Sequence, residues 1–404
     1  MYSPENLPLN ARRCLLVWVA LVFSLPCALP AVAAPYLPKD DAQVLEVLAS
    51  RADDPRQQQT RAWRAALARD PRDLPTALKL AHRYHELVQA EGDPRYIGYA
   101  QAALTPWWNE ADPPVDVRVL RAVILQFGHQ FAPALADLQA AVAKQPDHVE
   151  AWAWLAAIHM VQADYNKARE ACERFAPRVP PLLGVACIAS ADAVSGRAVP
   201  AIEQLQAALA RQPQAPAAER LWALTRLAET QDRIGRTADA ERTYRQALQL
   251  GVDDIYLQAA YADFLLDHQR AAEVLVLLKG KTRADVLLVR LALAAHATRA
   301  PALAAWTKDL ADRFDAARRR GDTTHEKEEA RFALHVLNDP AAALKLADHN
   351  YAAQKEPADA RMLLEAATAA RQPAAAEPVL AWMKASGIEA PALQRLAASL
   401  KGTP

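Results

Sequence analysis

Two neighbouring stretches of the chain place the same residue types at the same spacing. Residues 115–146 read VDVRVLRAVILQFGHQFAPALADLQAAVAKQP, and residues 149–180 read VEAWAWLAAIHMVQADYNKAREACERFAPRVP. Counted from the first residue of each stretch, alanine occupies positions 8 and 20 in both, and proline occupies position 32 in both. The offset between the two stretches, from 115 to 149, is the length of one repeat. A unit of this length cannot bury its own apolar face, so the pattern predicts that successive units stack on one another.

The pattern within one unit predicts two helices joined by a short turn near position 15. Alanine at positions 8 and 20 lets the two helices pack closely, because antiparallel helices approach each other where one presents a small residue. Larger residues at positions 4, 7, 11 and 24 fill the space between units, and the proline near position 32 ends the second helix. On this interpretation Trp152 packs in the core between units, and Trp154 packs on the outer face of the same stack.

Composition supports a helical chain without a general affinity for nucleic acid. The chain has 404 residues, more than one ordinary hydrophobic core supports, and only 11 of them are glycine, which disfavours helix. Lys and Arg together number 47, as do Asp and Glu, so the formal net charge is zero. A general nucleic-acid binder normally carries a basic excess, and we therefore expect no nucleic-acid partner.

The repeated unit resembles the tetratricopeptide repeat family, a helix-turn-helix repeat that stacks into a superhelix. The residues that carry the resemblance most closely are Trp152, Leu155, Tyr165, Ala168 and Pro180. The resemblance implies an all-α, right-handed superhelical solenoid of about ten repeats over residues 34–404. Repeat starts are expected near residues 40, 74, 115, 149, 182, 221, 255, 289, 324 and 358.

Two intervals between repeat starts are longer than the period, and one second helix is unusually polar. There are seven extra residues between 74 and 115, and five between 182 and 221. The stretch 307–331 reads TKDLADRFDAARRRGDTTHEKEEAR, which predicts an elongated second helix ending at Gly321. Its cations at 318–320 are favourable near a helix C-terminus, and the same stretch is the candidate for a hinge between two parts of the array.

Residues 1–33 have the pattern of a signal peptide. Arg12 and Arg13 precede an apolar run over residues 14–25, and Ala31-Val32-Ala33 fits the small-x-small rule for cleavage before Ala34. The run is shorter than the roughly 20 residues that a membrane-spanning helix needs. We therefore expect an exported protein, periplasmic or secreted, with no transmembrane span in the mature chain. An uncleaved signal anchor is the alternative.

Four cysteines bear on export and on a possible crosslink. Cys14 and Cys27 belong to the signal segment; Cys27 raises the alternative of a lipoprotein, although the preceding Leu-Pro departs from the usual lipoprotein pattern. Cys172 and Cys187 stay in the mature chain, less than half a repeat apart. Because an exported protein meets oxidising conditions, they are a candidate disulfide, and two buried thiols are the alternative.

No arrangement of residues in the sequence predicts catalysis, a metal site or a bound cofactor. The stretches HELVQ (85–89) and HEKEE (325–329) begin like the helical zinc-protease motif, but each lacks the second histidine at the fifth position. His82 and His85 share one helical face, and two ligands are too few for a structural zinc site. Because the sequence also has no phosphate-binding Gly-rich loop and no Gly-x-Ser-x-Gly elbow, we expect no enzyme, no metal and no cofactor.

A pair of tryptophans stands in the longest interval between repeats. Trp107 and Trp108 follow Thr105-Pro106 and precede the break at Asp112-Pro113-Pro114. Aromatic pairs on an inserted loop anchor partners in some proteins, and in others they fold back over helix ends because tryptophan buries a large area. Both interpretations stay open for this pair.

The resemblance implies that positions 2, 5, 9, 12 and 13 of the first helices line a concave groove that receives a partner. Starts 115, 149 and 182 contribute an apolar strip, and starts 221 and 255 contribute an acidic strip with aromatic edges. The apolar strip consists of Val119, Val123, Phe127, Ala153, Ala157, Met160, Val161, Ala186 and Ser190. The acidic strip consists of Glu229, Asp232, Arg233, Asp263 and Asp267, with Trp222 and Tyr256 beside them.

An apolar strip that leads into carboxylates suits a protein or peptide partner with apolar anchors followed by Lys or Arg. We therefore expect an exported scaffold or adaptor that binds such a partner, in envelope assembly, secretion or polysaccharide export. The alternative for the groove is that its apolar residues are buried by the superhelix and its acids are ordinary solvated surface. Two other functions stay open: an enzyme or metal-binding protein with an unrecognised site, and an architectural spacer. The oligomeric state does not follow from the sequence.

Overall fold

The computed structural model describes residue 40, residues 54–91, residue 93 and residues 95–400. The expected signal segment, with its cleavage site, Cys14 and Cys27, lies outside the described residues. So does the segment 41–53, which follows the first expected repeat start. The fold described below is that of Pro55–Leu400.

The described residues form 21 α-helices and no strand. In chain order the helices are α1 (Pro55–Arg69), α2 (Leu74–Glu91), α3 (Arg95–Ala103), α4 (Thr105–Trp108), α5 (Val115–Phe127), α6 (Phe131–Lys144), α7 (Val149–Val161), α8 (Tyr165–Phe175), α9 (Pro181–Ala193), α10 (Ala198–Arg211), α11 (Ala217–Arg233), α12 (Thr237–Leu248), α13 (Ile255–Asp267), α14 (Ala271–Leu277), α15 (Asp285–Thr298), α16 (Leu303–Arg319), α17 (Glu326–His335), α18 (Pro340–Ala353), α19 (Pro357–Ala369), α20 (Glu377–Ser386) and α21 (Pro391–Leu400). Each of these helices is too short or too polar to span a bilayer.

Nine consecutive helix pairs make up the array: α2 with α3, α5 with α6, and each following couple up to α19 with α20. Their first helices begin within four residues of the expected repeat starts between 74 and 358. They begin at Leu74, Val115, Val149, Pro181, Ala217, Ile255, Asp285, Glu326 and Pro357. The interpretation of the chain as an all-α solenoid of helix-turn-helix repeats is therefore confirmed.

Small residues lie where neighbouring helices meet. Ala122 and Ala134 in the second pair, and Ala156 and Ala168 in the third, are at most 3% exposed. The approach at Gly184 in α9 is closer still, because a Cβ added there would lie 2.8 Å from the Cβ of an alanine in the preceding turn. Side-chain size at such positions sets the distance between helices.

The extra residues in the two long intervals form local additions to the array. Those between the first two pairs lengthen α2 and form the short α4, and those before α11 form the loop 212–216. The polar helix α16 spans 17 residues and carries Arg318 and Arg319 in its last turn, with Gly321 beyond it at a φ of +70°. The expected elongation is confirmed, and the hinge near 307–331 stays a prediction.

Pairs that are far apart in the chain also touch each other. The backbone N–H of Lys355, which follows α18, donates to the carbonyl of Val161 at the end of α7 at 2.7 Å. Trp382 of α20 donates its indole N–H to the hydroxyl of Tyr165 in α8 at 3.0 Å. Tyr165 belongs to the same apolar core as the side chains of the last pairs. The third pair therefore packs against the last two pairs as well as against its neighbours.

A disulfide joins α8 to α9. It links Cys172 to Cys187, whose Cα atoms lie 5.4 Å apart. The two helices belong to successive pairs and stack directly, so the bond closes a short loop across a boundary between repeats. In the chain-entropy model a loop of about 16 residues contributes about 3 kcal/mol to the free energy of unfolding.

We expect opposite effects from one substitution at two helical glycines. Gly184→Ala lowers the free energy of unfolding by about 1–3 kcal/mol, because the new methyl group overlaps Ala176 and the helices must separate. Gly98→Ala in α3 is the control. No described atom beyond its own helix backbone and chain neighbours lies within 4 Å of its added Cβ. That change therefore stabilises the protein by about 0.5–1 kcal/mol. Urea denaturation followed by circular dichroism measures both, and a gain at Gly184 contradicts the packing described.

Candidate functional site

Part of the apolar strip is buried inside the array. Val119, Val123 and Ala186 are at most 1% exposed, so the prediction that they line an open groove is wrong. Val119 packs in a core shared by the second and third pairs, and Ala186 packs in a core shared by the fourth and fifth. These positions therefore face neighbouring helices and not an open groove.

The rest of the apolar strip is partly buried. Its members are Phe127, Ala153, Ala157, Met160, Val161 and Ser190. Met160 packs against the apolar core of the last pairs, and the carbonyl of Val161 accepts the hydrogen bond from Lys355. The chain's own C-terminal pairs therefore occupy part of the space in which the sequence predicts a partner.

The acidic strip lies on the inner face of the array, by which we mean the side of α11 and α13 that carries Arg226, Glu229, Arg233, Tyr256 and Asp263. Tyr256 is 48% exposed, and the guanidinium of Arg226 stacks on its ring at 4.6 Å from the ring centroid. The Tyr256 hydroxyl donates to Glu229 at 2.5 Å and accepts from Arg226 at 3.0 Å. Burial, opposed by Arg226 and reinforced by Glu229, raises the pKa of Tyr256 well above its usual value. The hydroxyl therefore stays protonated and remains a donor.

Asp263 is held between two arginines from later helices. Its carboxylate accepts from Arg290 of α15 at 2.5 Å and from Arg331 of α17 at 2.9 Å. Arg290 is buried and also lies 3.6 Å from the carboxylate of Glu328. Burial opposes ionisation of Asp263, but the charges of Arg290 and Arg331 outweigh it and lower the pKa of Asp263.

Asp267 begins a chain of charged contacts that crosses to α19 and α17. Arg361 of α19 donates to Asp267 at 2.8 Å and to Glu365 at 2.6 Å. Glu365 in turn lies 3.0 Å from the ring Nε2 of His335. Burial opposes ionisation of Glu365, but the hydrogen bond to His335 and the charge of Arg361 lower its pKa to about 2. This carboxylate is therefore charged at all physiological pH values.

Asp232 is the member of the strip whose ion-pair neighbour is a histidine and not an arginine. Its carboxylate lies 3.5 Å from Nε2 of His268, whose ring is 4.5 Å from that of Phe264. Burial and the nearby charge of Asp267 raise the pKa of Asp232. The carboxylate is thus less strongly compensated than those that face arginines.

Apart from Asp232, the acids of the strip are compensated from within the chain, by cations that the sequence analysis did not assign to them. Arg290 stands at position 2 of the repeat expected near 289, so reading the groove positions beyond the start at 255 would have found it. Arg331 and Arg361 stand at positions 8 and 4 of their repeats, which are not groove positions, and the sequence carries no signal for them. Arg226 was missed for the same reason.

The tryptophan pair of the long interval folds back onto the array. Trp107 is 4% exposed and packs in the core of the first two pairs, with the guanidinium of Arg72 over its ring at 5.7 Å. Trp108 is partly buried against the same core. Trp107 is therefore too buried to contact a partner. Of the two interpretations of this pair, packing over the helix ends agrees with the structure.

The remaining tryptophans of the sequence analysis also pack inside the array. Trp152 packs against the core shared by the second and third pairs, as expected for a position between units, and donates its indole N–H to the carbonyl of Pro146 at 2.7 Å. Trp154 meets the ring of His85 in α2 edge-on at 5.6 Å, which places it between non-neighbouring pairs and not on the outer face. Trp222 is partly buried between two cores.

The inner face combines three kinds of chemical group. It offers paired charges, hydrogen-bond donors and one exposed aromatic ring. Within the described ranges, no group of three or more His, Cys, Asp and Glu side chains is placed to hold a metal ion.

We expect Asp263→Asn to lower the free energy of unfolding by about 2–3 kcal/mol, because it removes the carboxylate shared by the buried Arg290 and by Arg331. The loss is smaller than for a fully buried pair, since the Asp263 side chain is 30% exposed. Because the folded-state pKa of Asp263 is lowered, its contribution is present above the ordinary aspartate pKa. The difference from wild type therefore shrinks as the pH falls below about 3.9.

Asp312→Asn is the matched control for this prediction. It breaks the exposed pair with Lys308 in α16 and should leave the urea midpoint nearly unchanged. Equal midpoints for Asp263→Asn and Asp312→Asn would show that the inner-face pair contributes nothing to stability.

Comparison with known proteins adds a family match and several distant structural likenesses. Residues 129–181, which contain α6, α7 and α8, match the tetratricopeptide repeat family model. None of the curated protein sequences matches the chain.

The solved structures that are similar share little sequence with the chain. A chain of the APC/C hetero-tetramer Cut9-Hcn1 is 13% identical with a TM-score of 0.41; the match covers 77% of this chain and 52% of that one, so this chain spans about half of its length. Yeast Tom70 is 14% identical with a TM-score of 0.38, over 80% of this chain and 62% of that one. Human IFIT1, solved as a dimer with m7Gppp-AAAA, is 12% identical with a TM-score of 0.39, over 86% of both chains.

These scores carry no conclusion about function. The family match rests on the segment that holds the clearest repeat, with Leu155, Tyr165, Ala168 and Pro180 at their expected positions. The same helix-turn-helix unit recurs in all nine pairs of the array. Residues 129–181 therefore match the tetratricopeptide repeat family, and the other pairs of the array share its helix-turn-helix form.

Proposed function

We propose that the protein is an exported scaffold that holds a protein or peptide partner against the inner face of α11 and α13. The repeat fold is that of a protein–protein interaction scaffold. The observation that supports this site is the 48% exposure of Tyr256, a large ring set among charged groups. Tyrosine and arginine are enriched among the residues that dominate interface energies, and Arg226 stacks directly on this ring.

The apolar part of the partner is proposed to contact Tyr256. A basic part, as predicted from the acidic strip, has to compete with Arg331 and Arg361, which already hold Asp263 and Asp267. Groups of the same chain act at a high effective concentration, so a partner's Lys or Arg displaces them at a cost. The aromatic contact is therefore proposed to contribute more to affinity than the carboxylates.

Export is proposed from the N-terminal sequence and supported by the cysteine pair. The pattern of Arg12-Arg13, an apolar run and Ala31-Val32-Ala33 is that of a cleaved signal. Disulfides persist in oxidising compartments, and Cys172 and Cys187 lie at bonding distance.

Intact-mass measurement of the protein recovered from outside the cytoplasm tests export and the disulfide together. We expect the mass of a chain that begins at Ala34, reduced by two hydrogen atoms because Cys172 and Cys187 are bonded. Alkylation of the denatured, unreduced protein should label no cysteine. A recovered chain that retains Met1 contradicts cleavage, and a processed chain with two labelled cysteines contradicts the bond.

Tyr256→Ala should weaken binding of the partner about 30-fold or more, as expected for a tyrosine at the centre of an interface. The measurement uses tagged protein beginning at Ala34, affinity capture from the envelope fraction and quantitative mass spectrometry. Tyr256→Phe keeps the ring but removes the hydroxyl that bridges Glu229 and Arg226, so it separates ring contact from hydrogen bonding.

Val276→Ala is the matched control, because Val276 is 77% exposed on the second helix α14 and lies outside the proposed site. Circular dichroism verifies that each variant is folded. If Tyr256→Ala recovers the same proteins in the same amounts as Val276→Ala, the inner face around Tyr256 is not the binding site.

A further inference from the structure

Arg233 differs from the other cations around the inner face in having no carboxylate partner. Five neighbouring cations lie 3.3 Å or less from a carboxylate. They are Arg226, Arg290, Lys327, Arg331 and Arg361. Throughout the described part of the chain, no carboxylate lies within the 4.0 Å of Arg233 that defines an ion pair.

The contacts of Arg233 leave most of its hydrogen-bonding capacity unused. It is the last residue of α11, it is half-buried, and its Nη2 donates to the carbonyl of Ala193 at 2.8 Å. That carbonyl ends α9 and carries only the partial negative charge of a helix C-terminus. The Nε of Arg233 is buried and has no hydrogen-bond partner among the described residues.

The carboxylate of Glu229 already pairs with residues other than Arg233. Glu229, one turn earlier on α11, accepts from the Tyr256 hydroxyl at 2.5 Å and lies 3.0 Å from Arg226. Burial lowers the pKa of Arg233, while the charge of Glu229 opposes this shift. Glu229 therefore lies near Arg233 without forming an ion pair with it.

A guanidinium in this setting favours a carboxylate over other acceptors. It presents several N–H donors in a flat fork that matches the two oxygens of a carboxylate, and such charge-assisted pairs are stronger than neutral hydrogen bonds. A partly buried cation without a counter-charge gains more from such a pair than a solvated one, because its surroundings screen the charge less.

We propose that Arg233 binds the side-chain carboxylate of an Asp or Glu in the partner, next to the apolar residue that contacts Tyr256. This inference rests on the proposed function and names the chemistry of its partner. The partner's charged residue at this point is then acidic, whereas the acidic strip predicts Lys or Arg. Asp263 and Asp267 already have arginine partners inside the chain, whereas Arg233 is the inner-face cation left to pair with a partner.

Selection of random peptides tests the proposal without knowledge of the natural partner. Peptides displayed on phage, with their C-termini blocked by the fusion, are selected on immobilised protein beginning at Ala34. Wild type should enrich peptides in which Asp or Glu stands near an aromatic or apolar residue. Arg233→Gln should lose the acidic enrichment, and Arg233→Lys should keep part of it. Arg242→Gln, at an exposed arginine of α12, is the control and should select as wild type does.

A selected peptide, acetylated and amidated, is then measured by fluorescence anisotropy. Arg233→Gln should weaken its binding about 30-fold or more, as for loss of one partner of an interfacial charge pair. Changing the peptide's Asp or Glu to the amide should weaken binding to wild type similarly and have little further effect on Arg233→Gln.

Three outcomes overturn the proposal. If Arg233→Gln selects the same acidic peptides, Arg233 does not bind the partner and contacts only the Ala193 carbonyl at the end of α9. If wild type selects peptides that depend on Tyr256 but contain no acidic residue, the proposed function stands and the role of Arg233 fails. If wild type enriches no peptide over Tyr256→Ala, both fail together.

Discussion

The distance between two packed helices is limited by the smallest side chains between them, and the rest of the structure depends on that distance. Buried alanines such as Ala122 and Ala134 hold the helices of a pair together, and Gly184 brings α9 onto the turn that precedes it. The stacking of successive pairs brings side chains of α13, α17 and α19 within hydrogen-bonding distance of one another.

The inner face is the place where charged side chains of distant pairs meet. Carboxylates on α13 face arginines from helices two and three pairs later, and the phenol of Tyr256 bridges Glu229 and Arg226 on α11. Buried ion pairs are poor sources of net stability, but they define which faces come together, since a mismatched face leaves charges uncompensated. An exposed ring and one uncompensated guanidinium within such a surface are the features available to another molecule.

Most of the fold follows from the sequence because the repeat is a local signal. Helix starts, the buried alanines, the length of α16 and the stacking of Cys172 on Cys187 each depend on residues within about one period. The site follows only in part. Asp263 and Arg331 are 68 residues apart, and Asp267 and Arg361 are 94 apart. Their pairing depends on the rotation per repeat, which no single residue encodes, and an error of a few degrees grows with each repeat. Burial of Val119 escaped the sequence analysis for a different reason: it packs in the core shared by two neighbouring pairs, at a position that the analysis assigned to the groove.

The hydrogen bonds from Lys355 to Val161 and from Trp382 to Tyr165 connect pairs that a linear stack keeps apart. In an ordinary repeat array each unit touches only its neighbours, so unfolding begins at either end and spreads as a nearest-neighbour process. Here the C-terminal pairs cannot fray without also uncovering the third pair, which couples the C-terminal end of the array to its middle. The folding units of this protein are therefore larger than its repeats, and its unfolding transition is more cooperative than its repetitive sequence suggests.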